Sequence, residues 1–214
     1  LIITINDNHD SGNYVGMKFK NNTAATTPAS NLHAKYDMAM IEINADKQIV
    51  NGLGVFVRNA EIENEAGTQV TFNSKGDIAT TTNTTLSDDA GVHGIKVNNK
   101  GSFAGSNIRV DFLADGNIGA GTTDTIVNGV NVNNDSKLTS DEINVSFNAE
   151  QAISSAIGVN VDSRSELINT GLINITMNAT NDELVAKAIN VDAGSLTTQD
   201  TIIQITSDTS NSNG

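Results

Sequence analysis

The sequence predicts an all-β fold, a parallel β-helix (solenoid), from three observations: an internal repeat, an alternation of apolar and polar residues within each repeat, and a composition rich in strand and turn formers. The repeat is clearest in residues 129–147, where a short alternating strand, an Asn-Asn-Asp turn, an isolated apolar Leu138 and a second alternating strand follow one another. Successive side chains of a strand point to opposite faces, so each repeat carries an apolar face that it cannot bury alone. Stacked repeats bury these faces together, and we expect a right-handed solenoid with three faces and about six coils.

Four columns of apolar side chains are predicted to fill the interior of this solenoid. The pattern returns about every 30 to 40 residues, which leaves room for three short strands and their loops in each coil. Equivalent residues of successive coils should lie one above another, about 4.8 Å apart. The predicted columns are Val55, Ile95, Val130, Val159 and Ile189; Val57, Val97, Val132, Val161 and Val191; Ile62, Phe103, Leu138, Leu167 and Leu196; and Val70, Val110, Val145, Ile175 and Ile205, flanked by Phe72, Phe112, Phe147 and Met177.

The remaining segments are assigned by how well they fit the repeat. Residues 1–6 match residues 201–206, so we expect the chain to begin in the last strand of a unit, as a cut through a longer array would. Residues 15–19 fill a first-strand position, whereas residues 20–37, which include Pro28, are too many for the repeat and should form a projecting loop before the array resumes at Met38. Residues 1–206 are predicted to form a single β-helix domain, and residues 207–214 a polar C-terminal tail.

The composition excludes several classes of function. The formal net charge of −13 and the pI near 4.4 disfavour nucleic acid or an anionic membrane as a partner, because like charges repel within a Debye length of about 10 Å. The chain has no cysteine, which excludes disulfides, thiolate catalysis and thiolate zinc sites. No apolar run approaches the roughly 20 residues of a membrane-spanning helix, and no cationic, apolar leader begins the sequence, so a secreted protein would already have lost its signal.

The outward positions of the second strand are the main candidate binding surface. Stacked coils would arrange these side chains as a flat grid of hydrogen-bond donors and acceptors, which can satisfy sugar hydroxyls or a second copy of the same surface. The alternative is that any solenoid needs a polar exterior. The candidate residues are Arg109, Asp111, Asn144, Ser146, Asn174, Thr176, Gln204 and Thr206.

A second outward column lies on the first strand of each repeat. Its members are Phe56, Lys96, Asn131, Asn160 and Asn190. We expect Phe56 to be exposed, where it can stack on a sugar ring or a partner protein, although single exposed apolar residues are common. Tyr36, in the predicted loop, and Tyr14 carry the same two interpretations.

The sequence gives little support for catalysis, and no catalytic residue, metal ligand or cofactor is predicted. His9, Asp10 and Ser11 are adjacent in sequence, which indicates a turn rather than a triad assembled from distant segments. A carbohydrate-cleaving β-helix would gather two or three carboxylates on one face, and the strand face offers only Asp111 beside Arg109. Other candidates fit turns or loops better than chemistry: His33, His93, Asp115, and the pair Asp162 and Asp192, one coil apart.

Three phrases of the repeat resemble the passenger domains of AIDA-like bacterial autotransporter adhesins. They are GVNVNNDSKL at residues 129–138, GVNVDSRSELINTGLINI at residues 158–175 and VDAGSL at residues 191–196, and the likeness spans about residues 50–206. The resemblance implies a right-handed β-helix exported to the surface of a Gram-negative cell and anchored in its outer membrane through a translocator domain outside this sequence. Members of that family mediate attachment, autoaggregation and biofilm formation, with roles in virulence.

The leading hypothesis is a non-enzymatic, extracellular adhesin. Its partner would be a glycan, an extracellular-matrix or host-surface protein, or another copy of itself, with no role for nucleic acid and no direct membrane insertion. Many modest hydrogen bonds repeated along a rod would supply avidity without a deep pocket. Two alternatives remain open: a polysaccharide lyase or hydrolase on the same fold, and a structural stalk that binds nothing.

Overall fold

The computed structural model describes residues 1–8, 12–21, 32–79, 91–119, 126–180 and 184–207. Within these ranges the regular structure consists of fifteen β-strands. They are β1 (Ile2–Asp7), β2 (Gly12–Lys20), β3 (His33–Ala45), β4 (Ile49–Arg58), β5 (Glu61–Ser74), β6 (Val92–Asn98), β7 (Ser102–Ala114), β8 (Val127–Val132), β9 (Lys137–Ala149), β10 (Ile153–Asp162), β11 (Glu166–Asn169), β12 (Leu172–Ala179), β13 (Leu184–Asp192), β14 (Ser195–Thr197) and β15 (Asp200–Ser207). The same ranges contain no helix of the length and apolarity needed to cross a bilayer.

The strands form two parallel sheets between which the chain alternates. The nine-stranded sheet runs β1-β3-β5-β7-β9-β11-β14, with β12 pairing β9 and β15, and the six-stranded sheet runs β13-β10-β8-β6-β4-β2. The N-terminal half of β9 pairs with β11 and its C-terminal half with β12, so one long strand covers two shorter ones of the next repeat. The all-β prediction is confirmed, and the stacking of equivalent strands in chain order is typical of a β-solenoid-like parallel fold.

The structure confirms the predicted interior columns for the most part. In the six-stranded sheet Val57 pairs with Val97, Val97 with Val132, and Val132 with Val161, which in turn pairs with Val191. The columns that begin at Val55 and at Ile62 are likewise in register over all five predicted members. Because equivalent residues meet apolar neighbours on the adjacent strands, the repeats share one continuous core.

The fourth column was predicted wrongly at its last member. Ile175 pairs with Ile203, and Ile205 lies against Met177. Ile205 therefore continues the aromatic column rather than the valine column. Both registers keep Ile203 and Ile205 on the inner face, since a shift of two residues preserves the alternation of a strand.

The aromatic column is a stack of phenylalanine rings inside the molecule. The ring centroids of Phe72 and Phe112 are 5.2 Å apart and those of Phe112 and Phe147 are 4.8 Å apart, with interplanar angles of 3° and 5°. All three side chains are fully buried. Ile43 pairs with Phe72 before the stack, and Met177 pairs with Phe147 after it. Parallel pairing at one-strand spacing places the rings face to face, so backbone register determines side-chain stacking.

A column of glycines in the six-stranded sheet faces the valine column of the other sheet. A methyl group on Gly129 would overlap Cγ1 of Val145 and lie 2.6 Å from the carbonyl oxygen of Gly158. The same close approach recurs at Gly54, Gly94 and Gly158. Glycine is thus needed at the start of these four repeats, where the two sheets come closest.

The segment predicted as a projecting loop is shorter than expected. Strand β3 begins at His33 and pairs with β5 from its first residue, so residues 33–37 belong to the sheet. Tyr36 therefore lies in a strand, not in a loop. Residues 22–31, including Pro28, and residues 208–214 of the predicted tail lie outside the described residues, whereas Ser207 ends β15.

Candidate functional site

The outward side chains on the C-terminal halves of β5, β7 and β9, together with those of β12 and β15, form three parallel rows, which we term the polar grid. Backbone pairing places equivalent positions of these strands side by side, so each row runs across all five strands. The first row is Gln69, Arg109, Asn144, Asn174 and Ile202; the second is Thr71, Asp111, Ser146, Thr176 and Gln204; the third is Asn73, Leu113, Asn148, Asn178 and Thr206.

The charged part of the grid is the pair Arg109 and Asp111. Arg109 donates from Nε to Oδ2 of Asp111 at 2.7 Å, and Ser146 on the next strand donates from Oγ to Oδ1 of the same carboxylate at 2.7 Å. The hydrogen bond to Asp111 raises the pKa of Arg109. Both carboxylate oxygens accept hydrogen bonds, so Asp111 holds Arg109 and Ser146 in place within the grid.

Asparagine ladders connect the strands of the grid. Asn174 donates to Oδ1 of Asn144 at 3.3 Å, and Asn178 donates to Oδ1 of Asn148 at 2.8 Å. A stacked amide can accept from one neighbour and donate to the other, so each ladder satisfies its own groups in the direction of stacking. The ladders order the side chains of the grid and use part of its hydrogen-bonding capacity internally.

The third row borders an open groove of about 410 Å³. Leu113, Asn148, Asn178 and Thr206 lie along it, and the side chain of Leu113 is 37% exposed. The groove thus combines an apolar contact with a line of amide and hydroxyl groups. This is the combination that a sugar, with its C–H faces and hydroxyl edges, can use.

The structure brings the predicted outward residues together but moves two of them. Gln204 neighbours Thr176 rather than Asn174, and Thr206 neighbours Asn178 rather than Thr176, because β15 is shifted by two residues relative to the predicted register. The sequence interpretation missed the third row. Its signal was present, since Asn148 continues the alternation of β9 beyond Phe147.

Two aromatic candidates are not where the sequence placed them. Phe56 was predicted to be exposed, but its side chain is fully buried, with the ammonium of Lys18 5.3 Å from the ring centroid. Both faces of β4 are buried at this point, so alternation does not imply exposure there. Tyr36 is partly buried against the core, and its hydroxyl shares a hydrogen bond with Oγ1 of Thr68 at 3.2 Å. Neither ring offers a free stacking face.

The chain matches no protein family, and no curated protein or solved structure is similar to it. Among the described residues, no group of three or more histidine, aspartate or glutamate side chains is arranged to hold a metal ion.

Proposed function

We propose that this chain is part of a non-enzymatic, extracellular adhesin of the bacterial cell surface, folded as a right-handed, three-faced β-helix of about six coils. Its partner is a glycan, a matrix or host-surface protein, or a second copy of the chain, bound through the polar grid. Outer-membrane anchoring through a separate translocator, and roles in autoaggregation and biofilm formation, follow from the resemblance to AIDA-like passengers.

The observation that carries this proposal is the regularity of the grid. Its three rows continue across five strands, so polar side chains recur at the strand spacing of about 4.8 Å, with Leu113 and Ile202 as the apolar positions. A repetitive partner can engage several such positions at once, and each added contact multiplies the overall affinity. The engagement of Asp111 by Arg109 and Ser146 favours binding over hydrolysis at this face.

A structural stalk is the second candidate, and one observation favours it. The amides of Asn174 and Asn178 already donate hydrogen bonds to the preceding strand. This lowers the free energy that hydrogen bonds to an external partner could add. A surface that satisfies itself is well suited to remaining inert in water.

An adhesion assay with a matched pair of variants separates these functions. Beads coated with the chain are expected to aggregate or to bind members of a glycan array. Thr176→Lys, in the centre of the grid, should reduce this binding by about tenfold or more, since a long charged side chain blocks the flat surface.

Thr139→Lys is the control for this experiment. Thr139 is a half-buried threonine on the N-terminal half of β9, outside the grid, and its replacement adds the same charge. Equal binding by both variants would refute the grid as the contact surface. Absence of any binding by the unmodified chain would favour the stalk. Release of reducing or unsaturated ends from polysaccharides, lost in Asp111→Asn, would favour an enzyme.

A further inference from the structure

A second polar surface lies on the outer side of the six-stranded sheet. A pocket of about 410 Å³ opens there over β6, β8, β10 and β13. Its size is within the range of sites for small ligands. His93 and Lys96 of β6, Asn128 and Asn131 of β8 and Ile157 of β10 line it.

The polar side chains of this pocket are unusually buried for outward positions. Asn128 is 2% exposed, Asn131 5% and Lys96 6%, and His93 is buried beside them. Burying amides and an ammonium is costly unless each polar atom finds a partner. The hydrogen bonds of the pocket therefore show which of its atoms remain available to a ligand.

The ring of His93 lies between the side chains of Lys96 and Asn128. Nζ of Lys96 lies 3.3 Å from Nε2 of His93, and the amide of Asn128 lies 3.1 Å from Nδ1. Both contacts bring a nitrogen donor to the ring, and a neutral imidazole accepts at only one of its two nitrogens, so the tautomer decides which contact is a hydrogen bond. Nδ2 is the end of the Asn128 amide that contacts His93, and the other end, Oδ1, is buried without a hydrogen-bond partner.

A second asparagine ladder supplies a directed donor. Asn190 donates to Oδ1 of Asn160 at 2.7 Å, and Asn160 donates to Oδ1 of Asn131 at 3.0 Å. The ladder ends at Asn131, whose own Nδ2 donates to none of the described residues. Close by, Oδ1 of Asn133 is buried and accepts no hydrogen bond. The pocket thus holds an available donor, an available acceptor and the free end of the Asn128 amide.

We propose that this pocket binds one ring of a carbohydrate. A sugar hydroxyl both donates and accepts, so neighbouring hydroxyls can satisfy Asn131, Asn128 and Asn133 together. The side chains of Ile126, at the exposed rim, and Ile157 provide apolar contact for the C–H face of the ring. A divalent cation fits less well, because among the described lining residues Asp162 is the single carboxylate and the cationic Lys96 belongs to the same lining.

Binding of free monosaccharides to the folded chain tests this site. D-glucose, D-galactose and N-acetyl-D-glucosamine are titrated, and binding is followed by saturation-transfer difference NMR and calorimetry. At least one sugar should bind saturably, and Asn131→Leu should weaken it by about tenfold, the effect expected for a lost hydrogen bond that also leaves its partner unsatisfied.

Asn13→Leu is the matched control, since Asn13 of β2 accepts from Asn51 at the start of an equivalent ladder on the same sheet, lies outside both the pocket and the polar grid, and should leave sugar binding unchanged. If Asn131→Leu does not fold, Ile126→Trp at the rim fills the pocket without altering the core and should abolish binding. No saturable binding, equal weakening by both asparagine variants, or binding of Ca²⁺ alone would overturn the proposal. This site is independent of the polar grid, so bead adhesion lost in Thr176→Lys but kept in Asn131→Leu would leave the adhesin proposal standing.

Discussion

Replacing Phe112 by alanine should be among the most destabilising single changes in this chain. The ring is fully buried between Phe72 and Phe147, with centroid distances of 5.2 Å and 4.8 Å. Loss of a buried phenylalanine costs about 3–5 kcal/mol through lost transfer free energy and the cavity left behind. Because the ring stacks on both sides, we expect the upper half of this range, since each stacked pair contributes about 0.5–1.5 kcal/mol beyond area burial.

The measurement is urea unfolding followed by far-ultraviolet circular dichroism, which suits a chain without tryptophan. Thermal unfolding should show a fall in Tm of about 10 °C, at the roughly 2–4 °C per kcal/mol typical of this chain length. Leu113→Ala is the control, because Leu113 is the next residue on the same strand but is 37% exposed on the outer face. Its cost should stay below about 1 kcal/mol.

Equal destabilisation by Phe112→Ala and Leu113→Ala would refute the argument that the ring stack stabilises the core. A second outcome is also informative. Repeats contact mainly their neighbours, so a cavity in one repeat can uncouple the two parts of the array. A lower m-value in Phe112→Ala would indicate that unfolding has become stepwise.

Two further predictions concern the sheet contact and the tyrosines. Gly129→Ala should destabilise the chain by about 1–3 kcal/mol in the same urea assay, because the added methyl group overpacks the place where the sheets come closest. The control is Ala188→Gly, in the corresponding position of the last repeat, which should cost less than about 1 kcal/mol. Equal costs for the two variants would contradict the close-contact argument. The hydroxyl of Tyr14 donates to Asp7 at 2.9 Å, and burial and this hydrogen bond raise the pKa of Tyr14 to about 12. In a Tyr36→Phe background, ultraviolet titration should show ionisation near that pH, moved lower by Asp7→Asn. As the pH rises, Tyr14 loses its proton in the unfolded chain before it does in the folded chain. The stabilisation by the protonated Tyr14 should therefore be complete below about pH 10 and disappear as the pH rises to about 12.

The strand register of this protein could be predicted because its repeats differ in loops and agree in strands. Val97, Val132 and Val161 share a sequence context, and a period of two assigns each to the inner face without any knowledge of the loops between them. Parallel stacking then requires equivalent residues to be neighbours. The glycine that begins four of the repeats was visible in the sequence as a marker of the repeat. Its structural role was not, since the sequence does not give the distance between the two sheets.

The error in β15 came from counting the wrong interval. Ile203 lies seven residues after Leu196, which is the same interval that separates Val145 from Leu138. The alternating sequence of the final strand suggested that Ile205, two residues later, was the equivalent of Val145. Alternation alone cannot distinguish the two registers. The spacing from the preceding apolar column would have resolved the ambiguity.

The position of Phe56 could not be predicted from local pattern. Its outward direction was correct, because it pairs in register with Lys96 and Lys18 on the neighbouring strands. Burial, however, depends on what lies over the outer face of the sheet, and this is a property of the whole fold. For the same reason the proposed sugar pocket could not be predicted, since the sequence pattern of Asn128 and Asn131 is that of ordinary solvent-facing asparagines.

The stacking of parallel strands also decides how the molecule would respond to a mechanical load. The hydrogen bonds between strands join one repeat to the next, so they point along the direction in which repeats accumulate. A pull between the two ends of the array is then carried by one row of backbone bonds after another, in series. Such an arrangement yields at its weakest junction, and the phenylalanine rings and amide ladders that bridge consecutive strands are the parts that raise the force at which a junction separates.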